Sequence, residues 1–399
     1  MKAVQEKNRV IATLLAFAVI PMSGLATDIY LPSMPYMAKY FGQAENSIQL
    51  TLSLYLGSYA IAQFFVGSIL DAFGRYKLST LSLFLFMVSF WITAISTDIY
   101  MIYAMRVVQG ILSAFAIVAK RAFFVDVYEG EERRQYLSLM TIVWSAGPIV
   151  APFIGGYLQE HFGWQSNFYL LAVYSGVIGV LEFLFSGETI RKKTAFNGRN
   201  LLGNFKEMIA TPDFFLGLLV VGLSYGMIFL FNLSAPFIIE HQLGYTPVTV
   251  GYASLIMGIA WMLGGFLGRA LMNKPFLPKI QLASLVQTTL ILAMYISSQW
   301  LQNLWTLLGF AFFIHLAAGF TFNNYFTYCL SRFPKIAGVS GGFTGGVAFI
   351  LTSGLSYGVV NMLHPATQPD LALGYFSMGT FVMLLLTTVR IRKLHPSVS

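Results

Sequence analysis

A chain of 399 residues in which 57% are hydrophobic and only 10% charged cannot present a solvated surface, because soluble domains carry roughly 25% charged residues. The remaining solvent is a lipid bilayer. The net charge of +8 forms no basic domain or stripe of the kind that grips nucleic acid, and a single cysteine, Cys329, excludes an internal disulfide and any multi-cysteine metal centre.

A crossing helix needs about 20 apolar residues, so a chain of this length has room for about a dozen. Apolar runs and their breaks predict twelve helices, at 10–35, 47–70, 77–96, 99–122, 134–158, 165–187, 212–236, 248–272, 278–297, 303–325, 339–362 and 371–391. The first run also has the form of a secretory signal ending before Thr27, but the segments after it need no separate export signal, so it is read as the first crossing. The longest polar stretch, 188–211, divides the chain into a first bundle (1–187), a flexible cytoplasmic loop and a second bundle (212–399). With the N-terminus in the cytoplasm, every lysine and arginine except Lys39 and Arg106 falls in or beside a cytoplasmic segment, as the positive-inside rule requires. A miscounted crossing would scramble that alternation, so both termini are expected in the cytoplasm.

The first helix ends in "ATDIYLPSMP", which holds Asp28 and Tyr30, and a bend is expected at Pro21. A straight helix places Asp28 about 27 Å along the axis from Val10. There it either faces an aqueous cavity or ends the helix among the headgroups. On the second helix Tyr55 and Tyr59 share a face and either line an aromatic substrate surface or pack against lipid; Gln63 is a further polar group there. Next comes "GSILDAFGRYKLS". Gly67 would let a neighbouring helix approach closely, Gly74 permits a tight turn, and Asp71, Arg75 and Lys77 lie at the cytoplasmic face. Their contacts either form and break as two bundles rock, or merely orient the loop.

The fourth helix, "MRVVQGILSAF", puts Arg106 about 12 Å in from the outer surface, with Gln109 on the same face. An intramembrane arginine faces a partner or a watery cavity, unless it snorkels outward. Its cytoplasmic end carries "KRAFFVDVY", with Lys120, Arg121 and Asp126, and Lys120 and Glu182 are expected at the membrane interface. In "WSAGPIVAPFIGGYL" of the fifth helix, Gly147, Pro148 and Pro152 interrupt the backbone ladder and Gly155 and Gly156 permit close contact. Later polar or aromatic candidates for a cavity are Asn232, Trp261, His315 and Asn323. His315 either relays protons or, as is more common for such a group, hydrogen-bonds across helices.

Together these stretches resemble the major facilitator superfamily and, within it, the Bcr/CflA-type drug:proton antiporters. "TDIYLPSMP" is similar to that subfamily's TDMYLPALP, "GSILDAFGR" to motif A (G-x-x-x-D-x-x-G-R), "RVVQG" to motif B and "GP…P..GG" to the motif C associated with antiporters. "KRAFFVDVY" follows its R-A-x-x-x-D-x-Y, through Arg121 and Asp126. The likeness covers most of residues 20–175. The second half fits by topology, and only Gly265, Gly268 and Arg269 echo motif A. Ala72 and Val125 stand where the pattern often has arginine, and Lys120 adds a charge foreign to it.

The resemblance implies an all-α integral membrane protein, twelve transmembrane helices in two pseudo-symmetric six-helix halves around a cavity open to one side at a time. It further implies residence in a bacterial inner membrane and export of small amphipathic molecules against protons, with Asp28 and Arg106 coupling the two. Burial raises a carboxylate's pKa and a nearby arginine lowers it, so an aspartate between these effects can take a proton on one side and lose it on the other. An alternative cargo is an endogenous metabolite such as a siderophore, suggested only by Lys120 and Arg121 near the inner mouth. An enzyme would need clustered ligands or a nucleophile with its base, whereas the five histidines are scattered. A purely structural membrane protein would not need Asp28 and Arg106 within helices. No cofactor, metal or nucleic-acid partner is expected, and a monomer suffices.

Overall fold

The computed structural model describes residues 8–190 and 198–392. Among the described residues, twelve helices are long and apolar enough to cross a membrane: α1 (Arg9–Phe41), α2 (Glu45–Phe73), α3 (Arg75–Ile95), α4 (Ile99–Val127), α5 (Gly130–Phe162), α6 (Gln165–Phe185), α7 (Pro212–Gln242), α8 (Pro247–Ala270), α9 (Phe276–Ser297), α10 (Leu304–Ser331), α11 (Val339–Leu363) and α12 (Gln368–Ile391). Most run past the expected spans, because helical hydrogen bonding continues into polar turns after the apolar stretch has ended.

The two halves repeat one packing scheme. In the first, α2 packs on α4, and α3 packs on α4 and α6; in the second, α8 packs on α10, and α9 packs on α10 and α12. Small residues make the matching contacts. A Cβ on Gly110 of α4 would lie 2.3 Å from the Tyr55 carbonyl oxygen of α2, and one on Gly319 of α10 would lie 2.5 Å from the Trp261 carbonyl oxygen of α8. Helix association in lipid depends on such close backbone approach, since the hydrophobic effect gives it no drive there. The halves meet along two seams that also correspond, α2 against α11 and α5 against α8.

The expected bend in α1 is present, between segments Arg9–Val19 and Met22–Asp28. A second break, not expected, follows directly after Asp28, where a single 3-10 turn, Leu31–Ser33, leads into Met34–Phe41. Pro32 explains it: proline has no N–H to give the carbonyl four residues back, which is that of Asp28. Helix α5 holds this broken element. A Cβ on Gly147 would sit 2.7 Å from the Pro21 carbonyl oxygen, and one on Gly155 only 1.6 Å from that of Ile29. On its other side α5 meets α8, where a Cβ on Gly156 would lie 2.6 Å from the Pro247 carbonyl oxygen.

The segment expected to be a flexible loop includes a helix, Gly198–Ala210. Phe205 on it stacks within 5.6 Å of Phe64 of α2 and 4.7 Å of Phe343 of α11, at the seam between the halves. Met208 is buried beside it. Its polar sequence hid an apolar stripe, because residues three and four apart share a face.

Gly155→Ala is expected to abolish the folded, monodisperse protein or to lower its melting temperature sharply, because backbone cannot yield at 1.6 Å. Gly67→Ala, where a Cβ would meet nothing within 4 Å, should melt like the wild type. Thermal unfolding of both variants in detergent measures the contrast.

Candidate functional site

Asp28 ends a helical segment and is 4% exposed. Its Oδ1 accepts a hydrogen bond of 3.5 Å from the Nδ2 of Asn232, on α7 of the other half. Arg106 is wholly buried. Its Nη1 donates to the Ala26 carbonyl at 3.0 Å and to Gln109 Oε1 at 3.2 Å, and Gln109 in turn donates to Thr93 Oγ1 at 3.0 Å. The guanidinium lies 4.0 Å from the centre of the Tyr30 ring, 5.0 Å from that of Phe168 and 5.7 Å from that of Tyr55. A desolvated cation over a ring gains about 2 kcal/mol or more, so this box offsets part of the cost of burial. The Tyr30 hydroxyl is anchored by Thr51 at 2.8 Å.

Asp28 and Arg106 thus meet indirectly. Among the described residues no ion pair joins them; the arginine instead binds the carbonyl two residues before the aspartate. Among the described residues, the Nε and Nη2 atoms of Arg106 have no hydrogen-bond partner.

Tyr55 and Tyr59 are both buried and stacked at 6.4 Å, so they do not face lipid. They open an aromatic wall that crosses the seam. Tyr59 packs 5.5 Å from Phe349 of α11, Phe349 lies 5.7 Å from Tyr225 of α7, and Tyr225 lies 5.4 Å from Trp261 and 5.5 Å from Phe322. Tyr225 is also within electrostatic reach of Asp28. Sequence reasoning singled out Tyr59 and Trp261 but missed Tyr225, Phe322 and Phe349, because aromatic residues on lipid-facing and cavity-facing positions look alike in one dimension. Gln63 lies on the same seam, with its Oε1 3.1 Å from where a Gly345 Cβ would stand. Asn323 is exposed on α10. His315 is buried apart from the wall's rings and takes the cross-helix role, its Nε2 lying 3.0 Å from the Tyr375 hydroxyl.

At the other end of the first half, the turn at Gly74 adopts φ +108°, a conformation that favours glycine. Arg75 bonds Asp71 at 2.7 Å and pairs with Asp126, which also accepts from Thr189 Oγ1 at 2.6 Å. Glu188 was not foreseen here. Its carboxylate accepts from the backbone N–H groups of Arg75 (3.2 Å) and Tyr76 (3.3 Å), capping α3 where the helix dipole favours an anion. Lys77 is exposed, and Arg121 is half-buried within electrostatic reach of Tyr59 instead of joining this network. Gly67 makes no close contact, contrary to expectation.

Lys120 and Glu182, expected as separate interfacial charges, are paired inside the bundle. They form a buried ion pair of 2.6 Å between α4 and α6, with side-chain exposures of 6% and 0%. The partners are 62 residues apart in sequence, so each looked unpaired until the helices were placed. Lys120→Met strands a buried carboxylate and should destabilise the protein by about 3–5 kcal/mol, whereas Lys120→Met with Glu182→Leu should recover most of the loss. Melting curves of the two variants check this.

Residues 16–359 match the family model described as Major Facilitator Superfamily. The multidrug resistance protein MdtL of Shewanella oneidensis is 27% identical over 379 residues, covering 94% of this chain and 94% of that protein. The bicyclomycin resistance protein homolog of Haemophilus influenzae is 25% identical over 384 residues, covering 94% of this chain and 93% of its own. Among solved structures, a bacterial homolog of the human lysosomal transporter Spinster, in an inward-facing and occupied conformation, superposes with a TM-score of 0.73 at 13% identity, over 99% of this chain and 100% of that one. At that identity the likeness is one of fold.

Proposed function

Because this chain belongs to the major facilitator superfamily, we propose that it exports small amphipathic molecules across a bacterial inner membrane in exchange for protons, with both termini in the cytoplasm. One observation carries the reading: a buried carboxylate, Asp28, stands at a break in α1 and touches the second half through Asn232, while a buried arginine that lacks a carboxylate partner among the described residues binds the carbonyl two residues before it. Such a group is costly to keep in a membrane and marks a proton or substrate path.

The mechanism follows from competition. With Asp28 protonated, the site holds one net charge, on Arg106; with Asp28 ionised, the two charges balance. Cargo entering against the aromatic wall favours the ionised form by displacing the proton, and the proton returns from the outer side once cargo has left. Alternating exposure of the one site then gives exchange without a covalent step. The Arg75–Asp71–Asp126 network on the cytoplasmic side would hold the first half's helix ends together as the halves rock.

The names of the relatives, multidrug and bicyclomycin resistance proteins, favour a drug-like cargo. Of the two residues that hinted at an anionic siderophore, Lys120 and Arg121, the first is neutralised by Glu182, which weakens that alternative.

The test uses inside-out vesicles with an imposed proton gradient, a pH-sensitive dye and a panel of lipophilic drugs. At least one compound should dissipate the gradient in wild-type vesicles and none in Asp28→Asn vesicles. Movement of labelled compound with no response of the gradient would contradict proton antiport.

A further inference from the structure

An exchanger must also refuse to reorient when it is empty and deprotonated, or it would leak protons. The contacts between the halves at the end opposite Arg75 address this requirement. Pro236 in α7 stands to Asn232 as Pro32 in α1 stands to Asp28: each proline withholds the N–H that would bond the carbonyl four residues earlier. The corresponding helices of the two halves are therefore both weakened where their polar side chains meet. Past Pro236, α7 continues as a π-turn, Ile238–Gln242, a second local departure of the kind that marks functional positions.

Next to Asn232, the Leu233 carbonyl accepts a hydrogen bond of 2.7 Å from Gln49 Nε2 on α2 of the first half. Gln49 is 3% exposed and Leu233 is fully buried. The side-chain contacts Asn46–Asn361 (3.2 Å) and Glu45–His241 (3.1 Å) at this end are exposed and trade against water, so they contribute little. One turn further in, Ser353 of α11 donates to the Ser53 carbonyl at 2.9 Å. Gln49 thus closes the seam at the residue adjoining the one that touches Asp28.

We propose that Gln49 and Asn232 are positioning residues that lock the outer end while Asp28 is ionised and no cargo is bound. This rests on the antiport reading and orientation above. An amide N–H bonds an ionised carboxylate about twice as strongly as a neutral one. Ionised Asp28 therefore holds Asn232, and with it the Leu233 carbonyl, in register for Gln49. Cargo or a proton at Asp28 loosens Asn232, and the Gln49 bond is then free to break as the outer end opens. Tyr30 from the first half and Tyr225 from the second are the titratable groups within electrostatic reach of Asp28, Arg106 binds the Ala26 carbonyl of the same segment, and none of the three bonds Gln49 or Leu233.

The experiment measures cargo-free decay of an imposed proton gradient in liposomes holding the purified protein. Gln49→Met keeps the side chain's bulk without its donor, and with Asn232→Ala it should raise this leak about fivefold, the worth of one net hydrogen bond. Adding Asp28→Asn to either variant should abolish the extra leak. A Gln49→Met protein that exchanges cargo for protons and leaks no more than the wild type would overturn the lock. A leak that persists with Asp28→Asn would also overturn it, because the protons would then bypass Asp28. Failure of antiport itself would appear separately, as wild-type liposomes in which no drug of the panel moves protons. Melting temperatures and monodispersity show whether each variant is folded; should Gln49→Met not fold, Gln49→Ala is measured in its place.

Discussion

A guanidinium with no exposed surface in a membrane bundle, and without a carboxylate partner among the described residues, is the constraint on which the first half depends. Its charge must be stabilised by weaker means, and several elements converge to do so. Helix α1 breaks, giving the arginine a carbonyl at Ala26; α2 and α6 supply Tyr55 and Phe168 beside Tyr30; α3 holds Gln109 through Thr93. Each contact is satisfied only with the helices in this arrangement. Arg106 therefore ties together the helices that position Asp28.

Glycine and proline set where the backbone bends and where it touches. Helix α5 stays continuous through Pro148 and Pro152, yet its glycines bring it against carbonyls of α1 on one side and α8 on the other. The motif that resembles an antiporter signature is in this sense a bearing surface between the site and the opposite half.

Much of the fold was legible in one dimension. Twelve apolar runs alternating with basic segments left little freedom in the topology, and the placing of Asp71 and Arg75 together at one helix end followed from their spacing, whereas Asp126 entered only through the family pattern. What escaped depended on partners far apart in sequence. Lys120 and Glu182 read as two separate charges, whereas α4 and α6 place them 2.6 Å apart. The break after Asp28 is announced by Pro32, which has no N–H for the Asp28 carbonyl, but a proline in an apolar run does not by itself show whether the helix bends or stops. Gly67 matches a packing motif but has empty space around it, since a motif records a residue and not the conformation in which it is used. The docking of Phe205 was hidden in a segment whose composition is polar.

The central claim is that proton and cargo compete for Asp28. Isothermal titration of the purified protein with a cargo active in vesicles, in two buffers of different ionisation enthalpy, measures the protons released on binding. The account predicts release of up to about one proton per cargo in the wild type, below the pH at which Asp28 is already ionised, and none in Asp28→Asn. Cargo binding whose heat is independent of the buffer across that pH range would contradict it.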